Sequence, residues 1–130
     1  MPLLRIPLLL CLLLLAACSD PRSGVLSRLR QANAGEIRAE VAQLHAKYFA
    51  YKGPEFFPVR HDAWPMNIQK LRPLRMTLYH DGLAIAIHDE PGLELGIHVV
   101  PPGNTVAPES TARTSYQPIQ DGFYYYSQMR

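Results

Sequence analysis

From Pro73 onward the chain changes period. LRMTLYH and LAIAIH each alternate large apolar residues with small or polar ones, and Asp81-Gly82 stands between them. A period of two sends successive side chains to opposite faces of a strand, and Asp-Gly is the strongest short-range signal for a two-residue hairpin turn. A chain with this stretch must build antiparallel sheet with one apolar face. Taking Asp81-Gly82 as the turn pairs His80 with Leu83, Leu78 with Ile85 and Met76 with Ile87. Met76, Leu78, Leu83, Ile85 and Ile87 then share the buried face, while Arg75, Thr77, Tyr79, Ala84, Ala86 and His88 share the other.

LELGIHVV reads as a third strand, with Leu93, Leu95, Ile97 and Val99 inward and Glu94, Gly96 and His98 outward. A two-residue Pro91-Gly92 turn would set Ile87 against Gly96 and mix the faces. Burial of an aliphatic side chain contributes about 1.5–3 kcal/mol, so the inward set outweighs a preferred turn type. An odd-length loop or a bulge is therefore expected near Glu90–Gly92. Asp121-Gly122 introduces a last strand, FYYYS, and 104–115 reads as loop.

Upstream the period is helical. Val25, Leu26 and Leu29 share a face; Ile37, Val41, Leu44 and Tyr48 form a second stripe. Asn33 and Glu36 have the spacing of a capping box, which puts a break near Asn33, and Gly53-Pro54 is expected to end the helix. YFAYKGPEFFPV is aromatic and irregular. Pro65 and Pro73 bracket one or two helical turns. The fold class is α+β: one or two N-terminal helices packed on an antiparallel meander of three to four strands.

The first residues follow other rules. Arg5 precedes an apolar run from Ile6 to Leu15, about half of the roughly 20 residues a membrane-spanning helix needs. Such a run ahead of small residues is an export signal. Leu15-Ala16-Ala17-Cys18 resembles the lipobox of bacterial lipoproteins at every position, whereas Cys11 follows the bulky Leu10 and does not fit. The resemblance implies removal of residues 1–17, a diacylglyceryl group on the Cys18 sulfur and an acylated amine. Each buried methylene contributes about 0.8 kcal/mol, so two or more chains hold the protein firmly to a membrane. Residues 18–24 then form the lipidated N-terminus and tether, and 25–130 a single domain. Ser19 follows the cysteine and Asp20 comes one residue later than the inner-membrane retention signal of this class, which implies delivery to the outer membrane, facing the periplasm.

Arg5 and Cys11 leave with the signal. The remaining chain has Cys18 alone, hence no internal disulfide, and nearly balanced charge. It contains no block of basic residues, so nucleic acid is not an expected partner. His-Asp recurs at 61–62, 80–81 and 88–89, but on turns and strand ends, where Asp bonds local backbone. His88 and His98 share a face two residue pairs apart, too far for common ligation near 2.0–2.1 Å, so no metal or other cofactor is expected. Ser110, Ser115 and Ser127 lack a nucleophile elbow. The expected function is a non-catalytic binding module anchored through Cys18, its partner an envelope protein or cell-wall component. A small envelope hydrolase using His88 or His98 as base, and an inhibitor or immunity-type lipoprotein, are the alternatives. Arg75, Tyr79, His88, Glu94 and His98 on the second sheet face are the candidate binding residues. Ala84, Ala86 and Gly96 form a strip of small residues there, either packed by Tyr124–Tyr126 or open as a groove rimmed by Arg75 and Glu94.

Overall fold

A computed structural model describes residues 20–49, 55–104 and 106–130. The signal (residues 1–17), Cys18 and Gly53-Pro54 lie outside the described residues. Two helices, α1 (Pro21–Gln31) and α2 (Ala34–Tyr48), lead into β1 (Phe56–Pro58), a 3-10 turn at His61–Ala63 and a one-turn helix, α3 (Met66–Gln69). Five strands follow: β2 (Arg75–Tyr79), β3 (Gly82–Glu90), β4 (Leu93–Val99), β5 (Thr114–Gln120) and β6 (Phe123–Met129). Together with β1 they form one antiparallel sheet in the order β1-β2-β3-β4-β6-β5. The fold is α+β, but the sheet has six strands rather than three or four, and β6 inserts between β4 and β5 so that the meander is broken.

The helices start where side chains satisfy free backbone N–H groups. Asp20 accepts from Arg22 N at 3.2 Å, and Asn33 accepts from Glu36 N at 3.1 Å. Residues 21–24, read as tether, are thus the first turn of α1, and Pro21 sits where its missing N–H costs nothing. Val25, Leu29, Ile37, Val41 and Leu44 are buried against Met76, Leu78, Leu83, Ile85, Ile97 and Val99 of the sheet. The short α3 is held from outside. Glu40 of α2 accepts from Asn67 N (3.1 Å) and Ile68 N (3.0 Å), and Arg28 of α1 donates to the carbonyls of Leu71 (3.1 Å) and Arg72 (3.2 Å).

The face assignment holds for every residue but His88, which the bulge at Ile87 turns to the helix face opposite Leu95, while the register differs by one turn position. Tyr79 pairs with Gly82, Leu78 with Leu83 and Met76 with Ile85, so His80-Asp81 are the turn residues. Pro91-Gly92 does make a two-residue turn, pairing Glu90 with Leu93, and the conflict of faces is absorbed further in. Ala86 pairs with Gly96 and His88 with Leu95, which leaves Ile87 as an extra residue on β3. The expected bulge therefore lies at Ile87 rather than at the turn. It lets Ile87 stay 5% exposed and joined to the core.

Candidate functional site

The second face of the sheet is filled rather than open. Tyr126 lies across Gly96: a Cβ on Gly96 would come within 2.8 Å of the Tyr126 ring and 2.9 Å of its hydroxyl. Tyr126 is 2% exposed and Ala86 1%, so the strip of small residues is packed by the C-terminal strand. Arg75 and Glu94, expected as the rim of a groove, are bound to each other. Arg75 Nε donates to Glu94 Oε1 at 2.7 Å, and its other nitrogens donate to Asp89 at 2.5 and 2.9 Å. Arg130 donates to the same Asp89 and Glu94, and the Tyr126 hydroxyl donates to Glu94 Oε2 at 2.8 Å. Glu94 thus satisfies both oxygens with protein donors. Burial, then the Glu94 charge, pushes the Tyr126 hydroxyl well above its ordinary range. This is a lock tying the C-terminus to β2, β3 and β4.

His88 stands apart from that lock, half-buried, with Nε2 3.2 Å from Glu90 Oε1. Together with Ile87 it lines a small hollow against Asp20, Pro21 and Gly24 of α1. The point where the described chain begins therefore lies beside the half of the sheet that ends in the β3–β4 turn. Cys18 is two residues before Asp20.

The opposite end of the sheet carries different chemistry. His98 is 1% exposed, beside Gly82 and edge-on to Tyr116, with ring centroids 5.3 Å apart. Neither of its ring nitrogens has a hydrogen-bond partner among the described residues, and Asp81 Oδ1 is 3.7 Å from Nε2, beyond hydrogen-bond length. Burial lowers the His98 pKa, against the pull of Asp81 and with the push of His45. His45, on α2, is shifted the same way, again by burial first. Tyr116 is pushed up to about 12 by burial, then by Asp81 and Tyr79. Tyr79 is half-buried, and burial raises it too. Of the five face residues singled out from the sequence, Tyr79 and His98 belong to this end, Arg75 and Glu94 to the lock, and His88 to the α1 end.

Beside the same end lies a cavity of about 330 Å³, lined by Arg38, Val100, Pro102, Val106, Asp121 and Tyr124 among others. Arg38 Nε donates to the Val100 carbonyl at 3.2 Å, and Nη1 is 3.4 Å from Asp121 Oδ2. Gly122, at φ +77°, lies flat under the guanidinium, where a Cβ would come within 2.5 Å of Nε. Asn104 links this cavity to the histidine turn, since its Nδ2 lies 3.5 Å from the Asp81 carbonyl. Nothing in the sequence pointed to Arg38, and Asp121 stands out there only as half of the Asp121-Gly122 turn signal. The two are 83 residues apart, so no local motif joins them.

Phe123 joins the core at 1% exposure, whereas Trp64 and Phe57 pack partly buried against it and Phe56 is 55% exposed. Among the described residues no group of three or more His, Cys, Asp or Glu side chains is placed to hold a metal ion, and no helix is long and apolar enough to cross a membrane. Comparison with known protein families, characterised proteins and solved structures gives no match.

Proposed function

We propose that the protein is a lipid-anchored bacterial envelope protein, attached through Cys18, that works as a non-catalytic binding module and presents the far end of its sheet to a partner. The observation that carries this reading is the separation of the two ends. The chain enters next to Ile87 and His88, and the cavity that holds Arg38 lies beyond Val99. β4, which connects them, has seven residues, about 23 Å at roughly 3.3 Å per residue. With α1 beginning at Pro21, an acyl chain on Cys18 would hold the α1 end close to the lipid and leave the cavity on the periplasmic side.

For the hydrolase alternative, burial counts against His98 as the base but not against the half-buried His88. His98 is buried, and a general base must come within about 2.6–3.2 Å of the proton it takes. Outer-membrane delivery remains part of the proposal on the strength of Ser19 at the position after the cysteine. The reading is tested by placing a photo-crosslinking residue at Val106 or at Pro91 of the full chain and irradiating intact cells. Protein adducts from Val106 and none from Pro91 are expected. Adducts from Pro91 alone would overturn it.

A further inference from the structure

We propose that the cavity under the β5–β6 turn takes an α-carboxylate carried on a small aliphatic residue, a ligand class that rests on reading this end of the domain as its binding end. The guanidinium of Arg38 is fixed before any ligand arrives. Its Nε is used by the Val100 carbonyl at 3.2 Å, and its plane lies on Gly122, leaving no room for a Cβ beneath Nε, Cζ or Nη2. The side chain is only 19% exposed, yet its sole acidic partner among the described residues is Asp121, held by one 3.4 Å contact and itself 97% exposed. A cation withdrawn from water with one weak partner is poised for a better anion. The two Nη groups form the fork that a carboxylate matches with parallel hydrogen bonds. Asp121 can swing into solvent to make way.

The charge count selects among anions. Among the described residues Arg38 is the one cation lining the cavity, and Asp121 lies beside it. A doubly charged phosphate would lack a second cation, whereas a monocarboxylate is matched. Val100, Pro102 and Val106 supply an apolar wall, and Val106 is 70% exposed, a large aliphatic surface left facing solvent. The volume of about 330 Å³ is at the lower limit of small-molecule sites, roughly 300–1,000 Å³, and suits a single aliphatic residue. That chemistry comes from two sources, a free amino acid or the C-terminal residue of a peptide. In the first the ammonium group has Asp121 within reach.

The experiment is an amide NMR titration of the ¹⁵N-labelled full chain in detergent micelles with leucine, with Ala-Ala-Leu and with the C-terminal amide of that tripeptide. Saturable shifts at Gly103 and Gly122 are expected with a carboxylate probe, with a dissociation constant at or below about 1 mM. A response to leucine alone assigns the free amino acid; a response to the tripeptide, with or without leucine, assigns the peptide end. The amide should bind at least ~10-fold more weakly, and so should any probe to Arg38→Lys, which keeps the charge and loses the fork. Asp121→Asn should bind the tripeptide as tightly as wild type or more so. The unliganded spectrum of each variant reports whether it is folded. Absence of saturable shifts up to ~10 mM with either carboxylate, equal binding of the amide, or undiminished binding by a folded Arg38→Lys would each overturn the proposal. Such a failure with Val106 adducts still forming would remove the ligand class and leave the binding end standing.

Discussion

At the scale of single residues, His98 is the most consequential side chain, because it is buried with neither nitrogen partnered among the described residues. The groups facing it are Gly82 and Asp81 from the β2–β3 hairpin, Tyr116 from β5 and, by charge, His45 from α2. Burial lowers the pKa of His98 and of His45 below 6.5 in the folded state, whereas the unfolded chain keeps the ordinary value. Below pH 6.5 the unfolded state therefore binds more protons. Stability should fall as pH drops from about 6.5, by at most ~1.4 kcal/mol per pH unit for each proton. Urea unfolding between pH 7.5 and 5 measures the slope, and His98→Leu should flatten it; an unchanged slope would contradict the assignment. Tyr126 makes the second residue-scale prediction. Tyr126→Phe removes the 2.8 Å donor to Glu94 Oε2 in a buried setting, so a loss of about 1–3 kcal/mol is expected from chemical denaturation.

Among the elements, β5 shows how the sheet ends safely. Its outward N–H groups and one carbonyl are already occupied: Thr114 N is bonded to Thr111 Oγ1 at 3.1 Å, Tyr116 N to Ser110 Oγ at 3.1 Å, and Thr111 N donates to the Thr114 carbonyl at 2.8 Å. At the next outward position Pro118 has no N–H to offer, and a bulge follows between Pro118 and Gln120. Edge strands left unprotected template association. The triple variant Ser110→Ala, Thr111→Ala, Pro118→Val should therefore self-associate, read as a rise in mass by light scattering, while wild type at the same concentration does not.

The same strand explains the limits of reading this sequence. Strands β2, β3 and β4 alternate cleanly because one of their faces is core. β5, TSYQPIQ, is mostly exposed and carries a proline, and β1 is three residues long. Neither leaves a periodic signal. Asp81-Gly82 announced a hairpin, but for the wrong reason. Gly82 is absent from the glycines with positive φ; it is required because a Cβ there would meet the Val99 carbonyl at 2.5 Å and His98 Nε2 at 2.6 Å. Gly82→Val should still destabilise the fold strongly, through overlap with backbone rather than through the turn. The candidate site was the least legible part. Its cavity joins α2, the segment after β4 and the β5–β6 turn, and only the tertiary fold brings those together.

On the proposed reading, the molecule as a whole carries an anchor at one end of a small α+β domain and a binding end at the other. The lock of Arg75, Asp89, Glu94, Tyr126 and Arg130 holds the C-terminal strand in place between them. All of it depends on the fate of Cys18, since an unanchored domain would have no membrane side and no periplasmic side. The direct measurement is mass spectrometry of the N-terminal peptide of the protein purified from cell envelopes. The account predicts a chain that starts at Cys18, carries a diacylglyceryl group on sulfur and bears an acylated amine, with Cys18→Ala accumulating uncleaved precursor. A mature chain that starts elsewhere, or that starts at Cys18 with a free thiol, would contradict it.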